Sequence, residues 1–157
     1  MTGILFVGLG NVCRSPAAQA VFADLLHMRN LDADVVVDSA GIVGDHLSKP
    51  PCDAMRQEGA RRGFEMSHGR ARQVTPEDFH RFDYIFAMDR AVLRVLQRMA
   101  SPEPRAHVGL FLAYAPELGE DVPDPYHAPG IAASALDIIE EGAMALLTYL
   151  LQHEICP

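Results

Sequence analysis

A short stretch near the N-terminus combines the residue types that hold a phosphate group. It reads Gly8-Leu9-Gly10-Asn11-Val12-Cys13-Arg14-Ser15-Pro16. Glycines let a backbone bend closely around a ligand, and successive amides at the start of a helix attract an anion. Arg14 adds a planar guanidinium that can donate to two oxygens of one phosphate. For an isolated Gly-x-Gly an ordinary tight turn is the better explanation, but the Arg-Ser-Pro that follows favours a phosphate-binding loop over residues 9–15.

The elements on either side of this stretch are those that a phosphate loop needs. The continuous apolar run Ile4–Val7 predicts a buried strand before it. Ser15 and Pro16 are typical of a hydroxyl N-cap followed by proline in the first helical position, so a helix is expected from about Pro16 to Met28. The loop is therefore expected between a first strand and a first helix.

Apolar runs alternate with amphipathic stretches along the rest of the chain, which indicates βαβ units around a parallel sheet. The further strands are predicted at Ala33–Asp38, Tyr84–Met88 and Val108–Leu112. The further helices are predicted over Asp53–Arg62, from Thr75-Pro76, from an Asp89 cap to about Met99, and along a stripe from Ala132 to Leu150. The fold class is thus α/β: one domain over residues 1–157, with a four-stranded parallel sheet flanked by helices.

The amino-acid composition disfavours some classes of binding partner. The 157 residues carry a net charge of −8 and have a pI near 5.2, so the overall field repels nucleic acid and anionic lipid. Neither a nucleic-acid nor a membrane partner is expected, and no targeting segment is recognised. Cys13, Cys52 and Cys156 are too few and too widely spaced for a secreted disulfide framework or a zinc site, which favours a reducing, cytoplasmic setting. Cys52 is interpreted as a small packing residue and Cys156 as a C-terminal thiol.

The loop resembles that of the low-molecular-weight protein tyrosine phosphatases, which have Cys-x-Gly-Asn-x-Cys-Arg-Ser-Pro directly after the first strand. Every fixed residue from Gly10 to Pro16 matches, and Gly8 stands in place of the leading cysteine. Further matches follow in family order: Asp38-Ser39-Ala40-Gly41, Ser67-His68, Ala71-Arg72-Gln73, Phe82-Asp83-Tyr84-Ile85, Met88-Asp89 and Asp124-Pro125-Tyr126.

The resemblance implies phosphomonoester hydrolysis through a phosphocysteine intermediate, without a cofactor or metal. It makes Arg14 the ligand of the phosphoryl oxygens and Asp124 the general acid that protonates the leaving oxygen. The attacking cysteine, however, belongs at Gly8, and glycine offers no nucleophilic atom. We therefore expect this chain to be inactive or strongly impaired.

Other positions take supporting roles by the same resemblance. Asn11, Ser39 and His68 are expected to brace the loop through hydrogen bonds, although one extra residue follows His68. Ser15 is expected to stabilise the thiolate and leaving sulfur as well as to cap the helix. Cys13 is considered as a substitute nucleophile, but in the family its place is poorly oriented for attack and pairs with the first cysteine, which Gly8 prevents.

Three residues are expected on the rim of the site. Tyr126 and His127 follow the general acid, where the family uses aromatic faces to hold the substrate ring. Asp45 lies near a position where many members have an apolar or aromatic residue, and its carboxylate would repel an acidic phosphopeptide. The expected partners are a phosphorylated protein or small aryl phosphate, with inorganic phosphate or sulfate binding at the loop.

Two alternatives stay open at this point. The first is a natural phosphate- or phosphoprotein-binding module that does not turn over its ligand. The second is a dinucleotide-binding domain, because Gly8-x-Gly10-x-x-Cys13 after a strand, with Asp38 ending the next strand, resembles a dinucleotide fingerprint. The Arg-Ser-Pro sequence and the short chain argue against the dinucleotide alternative.

Overall fold

A computed structural model describes residues 1–153 and confirms the α/β fold with one parallel four-stranded sheet. The prediction for Cys156 lies outside the described residues. The strands are β1 (Thr2–Gly8), β2 (Val35–Gly41), β3 (Tyr84–Ala87) and β4 (His107–Leu110). The helices are α1 (Arg14–Met28), α2 (Asp53–Arg61), α3 (Asp78–Arg81), α4 (Arg90–Met99) and α5 (Ala132–His153).

The order of the strands places the loop at the point where ligands bind in open α/β sheets. The sheet runs β2-β1-β3-β4, so β1 lies between β2 on one side and β3 on the other. The chain leaves β1 towards β2 and later crosses to β3, which makes the carboxyl end of β1 the topological switch point. Gly8 and Gly41 are paired at this end of the sheet.

Both faces of the sheet are covered, as the apolar runs predict. Phe6 and Phe86 pack on one face against α1 and α5, and Leu5 and Ile85 pack on the other with residues of α3 and α4. The stripe predicted for α5 is buried as expected: Ala132, Leu136, Ile139, Ala143, Leu146 and Leu150. None of the helices within residues 1–153 is long and apolar enough to cross a membrane.

The first helix begins earlier than predicted. It starts at Arg14 with Cys13 as the N-cap residue, and the Cys13 side chain makes no capping hydrogen bond. The prediction that Ser15 caps α1 is therefore wrong. The Ser15 hydroxyl instead accepts a hydrogen bond from the Asn11 amide and contacts the Ala40 carbonyl, so it is part of the loop's support rather than of the helix end.

Other boundaries shift for local reasons. Strand β2 extends to Gly41 because it stays in register with β1 as far as Gly8. Helix α3 begins at Asp78 rather than at Thr75-Pro76, because the Asp78 carboxylate accepts from the Thr75 amide in a turn. Strand β4 ends at Leu110, and a 3-10 turn starts at Phe111.

Candidate active site

The loop between β1 and α1 turns tightly, and its shape depends on a neighbouring glycine. Asn11 has a φ of 60°, in the left-handed region that asparagine tolerates better than most residues. A Cβ on Gly41 would lie 2.8 Å from the Asn11 nitrogen and 2.8 Å from the Gly10 carbonyl carbon. The loop therefore packs directly on the end of β2, which leaves no room for a side chain at position 41.

Buried hydrogen bonds hold the loop from beneath. Asn11 Nδ2 donates to Ser15 Oγ at 3.0 Å and to Ser39 Oγ at 2.9 Å, and Asn11 Oδ1 accepts from the Arg72 amide at 2.9 Å. Ser39 Oγ in turn donates to Gln19 Oε1 at 2.7 Å. These bonds join the loop, α1, β2 and the segment at Arg72, so the expected bracing roles of Asn11 and Ser39 agree with the geometry.

Arg72 is also fixed by its side chain. Its guanidinium donates to Asp78 at 3.0 and 3.1 Å and to Asp38 at 3.1 Å. Burial by itself lowers the pKa of Arg72, but these bonds and the two carboxylates raise it above its ordinary value. The amide that supports Asn11 thus belongs to a charged residue held at the end of β2.

Arg14 is almost fully buried, at 5% exposure, and both of its terminal nitrogens have neighbours. Nη1 donates to Asp89 Oδ2 at 2.7 Å and to the Val122 carbonyl at 2.9 Å. Nη2 lies 3.6 Å from Asp124 Oδ2. Asp89 also caps α4 by accepting from the Val92 amide at 2.7 Å. The predicted phosphate ligand is therefore anchored on one side and approaches the predicted general acid on the other.

A cavity of about 320 Å³ brings most of the predicted residues together. Its lining comprises Gly8, Leu9, Gly10, Asn11, Val12, Cys13, Arg14, Ser15, Val43, Asp45, His46, Asp124, Tyr126 and His127. Asp124 is partly exposed, and its Oδ1 accepts from the Tyr126 amide at 3.1 Å. A basic group at the bottom and a carboxylic acid at the side suit the binding and protonation of a phosphomonoester.

Nothing in the backbone at Gly8 requires glycine. Its φ lies outside the left-handed region, and a Cβ built there would meet Ser15 Oγ at 3.2 Å and Ser15 Cβ at 3.5 Å. The closer distance is tight but involves a side-chain hydroxyl, which needs to move by only a few tenths of an ångström. A larger residue at position 8 would place its side chain beside Ser15, inside the loop.

Aromatic rings form part of the rim. The rings of His46 and Tyr126 lie 4.9 Å apart, and those of Tyr126 and His127 lie 4.7 Å apart. A Cβ on Gly10 would come 2.7 Å from His46 Cδ2, so the histidine lies directly over the loop. Asp45 is exposed at the same rim. His46 was not among the residues predicted from the sequence, although it adjoins Asp45.

The structure does not bring His68 to the loop. Its side chain is exposed, and it takes no part in the hydrogen bonds that join Ser39 to Gln19 and Asn11 to the Arg72 amide. The expected bracing of the loop by His68 therefore does not appear among these bonds. Shortly after this turn, the Ala71 amide donates to the Lys49 carbonyl.

Cys13 and Cys52 form a disulfide, with their Cα atoms 5.3 Å apart. Cys52 packs against the hydrophobic core, as interpreted from the sequence, but the disulfide was not predicted. Its pairing was not visible in the sequence because the two cysteines are 39 positions apart and no repeated spacing marks them. With its sulfur bonded, Cys13 carries no free thiolate that could act as a substitute nucleophile.

No three His, Cys, Asp or Glu side chains within residues 1–153 gather in a geometry that could hold a metal ion. The residues that line the cavity include Arg14, with its guanidinium, and Asp124, with its carboxyl group.

Comparisons with known proteins find similarity to phosphatases, which is consistent with the geometry of the cavity. A family model described as "Low molecular weight phosphotyrosine protein phosphatase" matches residues 3–155. The chain is 38% identical over 148 residues to the low molecular weight protein-tyrosine-phosphatase YfkJ of Bacillus subtilis, covering 94% of each chain. It is 41% identical over 126 residues to the low molecular weight phosphotyrosine protein phosphatase of Homo sapiens, covering 79% of each.

A solved structure extends the likeness to the whole fold. The protein tyrosine phosphatase of Entamoeba histolytica, crystallised with Hepes in its active site, superposes with a TM-score of 0.92 at 30% identity. The superposition covers 99% of this chain and 100% of that one.

Proposed function

Because this chain belongs to the low molecular weight phosphotyrosine protein phosphatase family, we propose that it binds phosphomonoesters in the loop of residues 8–15 but hydrolyses them far more slowly than a cysteine-bearing member would. The observation that carries the proposal is the glycine at position 8, at the head of a loop whose anion-binding parts are otherwise in place. The function proposed is thus phosphate-ester recognition on a phosphatase scaffold.

Binding is supported by the way Arg14 is held. A buried guanidinium with fixed partners loses little conformational freedom when it meets a phosphate, and the loop amides lie at the N-terminus of α1. Hepes, which occupies the active site of the similar Entamoeba histolytica structure, carries a sulfonate. A sulfonate shares the tetrahedral oxyanion shape of a phosphate.

Slow turnover follows from the missing nucleophile. Formation of a phosphoenzyme requires a lone pair aimed at phosphorus from the bottom of the loop, and Gly8 has no side chain. The nearest hydroxyl, Ser15 Oγ, accepts from Asn11 and donates to the Ala40 carbonyl at 3.4 Å, and within residues 1–153 no general base hydrogen-bonds to it. It therefore does not replace a thiolate.

Asp124 has a role in this proposal only when a nucleophile is present. We assign it protonation of the leaving oxygen and, afterwards, activation of the water that releases the phosphate. In the unsubstituted chain its carboxylate lies 3.6 Å from Arg14 and competes with a bound anion for that charge. Asp124 is thus a general acid that cannot act in this chain, because no phosphoenzyme forms without a nucleophile.

The rim suggests the type of ester. Tyr126, His127 and His46 offer ring faces to an aryl group, which favours a phosphorylated tyrosine in a protein or a small aryl phosphate, with inorganic phosphate and sulfate as competitors. Asp45 disfavours acidic residues next to the phosphate. We propose a reducing, cytoplasmic setting, because a single disulfide is not the dense framework of a small secreted protein, and we propose no cofactor.

The decisive experiment restores the sulfur. We expect Gly8→Cys to hydrolyse p-nitrophenyl phosphate at least about a thousandfold faster than the unsubstituted chain, because loss of a nucleophile typically costs that much or more. Gly8→Ala is the matched control: it adds the same Cβ beside Ser15 without a thiol, and it should bind phosphate without turnover.

The same pair of variants separates the alternatives. A Gly8→Cys protein that binds phosphate but stays inactive would favour a dedicated binding module whose remaining groups no longer support the chemistry. Rapid hydrolysis by the unsubstituted chain would contradict the proposal. Binding of NAD that phosphate does not displace would support the dinucleotide alternative, which the family assignment disfavours.

A further inference from the structure

A disulfide connects the phosphate loop to the segment that forms part of the rim. Cys13 lies in the loop immediately before α1 and is 3% exposed, whereas Cys52 lies immediately before α2 and is only partly buried. We call residues 42–52 the rim segment, because they carry Asp45 and His46 into the cavity wall. The bond therefore joins the two parts of the site that would contact a phosphate and its organic group.

The rim segment is attached to the loop at both ends, but in different ways. At its start, the Ile42 amide donates to the Gly8 carbonyl at 3.0 Å and the Val43 amide to the Leu9 carbonyl at 2.9 Å. At its end, the Cys52 amide donates to the Val12 carbonyl, and the disulfide lies beside this bond. Reduction would leave the far end of the segment with that hydrogen bond and with backbone contacts to Ala71.

We propose that Cys13–Cys52 is a reversible, redox-sensitive disulfide that raises the affinity of the loop for phosphate esters by fixing the rim segment. The proposal rests on the proposed function, because it concerns regulation of the same site. With Gly8 at the head of the loop, Cys13 has no sulfur neighbour at position 8, and its sulfur pairs with Cys52 instead. The bond thus acts on the shape of the site and not on a nucleophile.

The disulfide is proposed to affect ligand binding through the position of His46. It lies over Gly10 and against the Tyr126 ring, at 4.9 Å between ring centroids. A segment whose end is fixed by a covalent bond holds His46 in this place before the ligand arrives, whereas a segment whose end is held only by hydrogen bonds must be ordered to a greater extent during binding. Oxidation should therefore strengthen the binding of an aryl phosphate more than that of inorganic phosphate.

The chemistry balances with a disulfide oxidant such as oxidised glutathione. The more exposed Cys52 thiolate attacks one glutathione sulfur, forms a mixed disulfide and releases one glutathione thiolate. The Cys13 thiolate then attacks the Cys52 sulfur, closes the protein disulfide and releases the second glutathione. Cys13 adjoins Arg14 and the N-terminus of α1, both of which favour a thiolate. A dithiol such as dithiothreitol reverses both steps.

A reducing compartment also favours a reversible disulfide over a permanent one. In the reducing compartment assigned above, disulfides are rare, and those that form are usually transient, catalytic or redox-sensing.

A bond that closes a separation of 39 residues also restricts the unfolded chain. We therefore expect reduction to lower the midpoint of thermal unfolding by about 5–15 °C.

The experiment uses the full chain with Cys156→Ser, so that two cysteines are left. One sample is oxidised with oxidised glutathione and a second is reduced with dithiothreitol. The intact mass counts the hydrogens lost, hydrogen exchange follows the rim segment, and calorimetry measures the dissociation constants of phenyl phosphate and inorganic phosphate. We expect loss of two hydrogens on oxidation, slower exchange in the rim segment, and about threefold to tenfold tighter binding of phenyl phosphate.

Cys52→Ser in the same background should remove the redox dependence of exchange and affinity, while the unsubstituted chain should show both. Equal exchange and equal affinity in the oxidised and reduced samples would overturn the proposal, as would two thiols that stay free after treatment with oxidised glutathione. If neither sample binds phenyl phosphate, the proposed function fails, and hydrogen exchange still decides whether the disulfide fixes the rim segment.

Discussion

The phosphate loop and the rim segment line the same cavity but are built in opposite ways. Within the loop, Asn11, Arg14 and Ser15 are buried, and each is held by hydrogen bonds to other elements. On the rim, Asp45 and Tyr126 are exposed and meet few fixed partners. In the proposed function, phosphate recognition therefore depends on residues of the folded core, whereas the residues proposed to contact the organic group can change at little cost in stability.

The same difference bears on the proposed absence of a nucleophile at position 8. The hydrogen bonds of the Asn11 side chain, which brace the loop, involve Ser15, Ser39 and the Arg72 amide. Gly8 contributes through its backbone, since its carbonyl accepts from the Ile42 amide. We therefore expect a change of side chain at position 8 to leave the bracing of the loop in place.

The largest effect is expected from Arg14→Ala. The variant leaves the largely buried Asp89 without its cation, so the free energy of unfolding should fall by about 3–5 kcal/mol. It also removes the guanidinium that is proposed to bind the phosphate, so phosphate binding should be lost. Arg14→Lys is the control, since it keeps the charge but not the planar fork, and affinity should fall about tenfold or more. Urea unfolding and calorimetry measure the two effects. Unchanged phosphate affinity in Arg14→Ala would show that the loop is not the anion site.

A smaller effect is expected at Asn11, where two variants separate hydrogen bonds from backbone strain. Asn11→Gly tolerates the φ of 60° but removes the three side-chain bonds, which should lower the free energy of unfolding by about 2–3 kcal/mol. Asn11→Ala should cost about 1 kcal/mol more, because alanine is strained in the left-handed region. Phosphate affinity should fall in both. Equal stability of all three proteins would contradict the account of the loop's support.

At the rim, Tyr126→Ala should affect one ligand and not the other. We expect the affinity for phenyl phosphate to fall about threefold to tenfold, since one ring contact is lost, while inorganic phosphate binds as before. Calorimetry with both ligands makes the comparison, and Tyr126→Phe serves as the control that keeps the ring. An equal loss for the two ligands would place Tyr126 in the anion site and weaken the contrast between loop and rim.

The smallest effect is expected at the surface pair Arg90–Asp121, next to the Val122 carbonyl that holds Arg14. A hydrogen bond from Arg90 lowers the pKa of Asp121, so the stabilisation from this carboxylate is present above its ordinary pKa and is lost as the pH falls through the lowered value. Asp121→Asn should cost at most about 1 kcal/mol at neutral pH, because both side chains are largely exposed. Urea unfolding should show no difference from the unsubstituted chain at strongly acidic pH, and a difference that persists there would contradict this origin.

The sequence predicted what lies close together along the chain. The loop from Gly8 to Ser15 is continuous, its flanking strand and helix follow from apolar periodicity, and Asp89 as the cap of α4 is confirmed. The family's order of segments led to Asp124. Contacts between distant residues were missed: Arg14 with Asp89, Ser39 with Gln19, and Cys13 with Cys52 are 75, 20 and 39 positions apart.

Two errors have a shared physical cause. Ser15 was expected at the helix end and His68 beneath the loop, and both expectations assigned a polar side chain to its nearest suitable role. In the folded protein, the Asn11 amide donates to the Ser15 hydroxyl. Gln19 and the Arg72 amide, and not His68, form the hydrogen bonds with Ser39 and Asn11. Local pattern does not decide which of several hydrogen-bond donors reaches a buried acceptor, since that depends on tertiary packing.

The most direct test uses one preparation of the unsubstituted chain for two measurements. Calorimetry with inorganic phosphate should show saturable binding at one site, and p-nitrophenyl phosphate hydrolysis by the same sample should be at least about a thousandfold slower than by Gly8→Cys. Hydrolysis at the rate of the cysteine variant, or an absence of phosphate binding, would contradict the conclusion that this chain keeps the anion site of its family without its nucleophile.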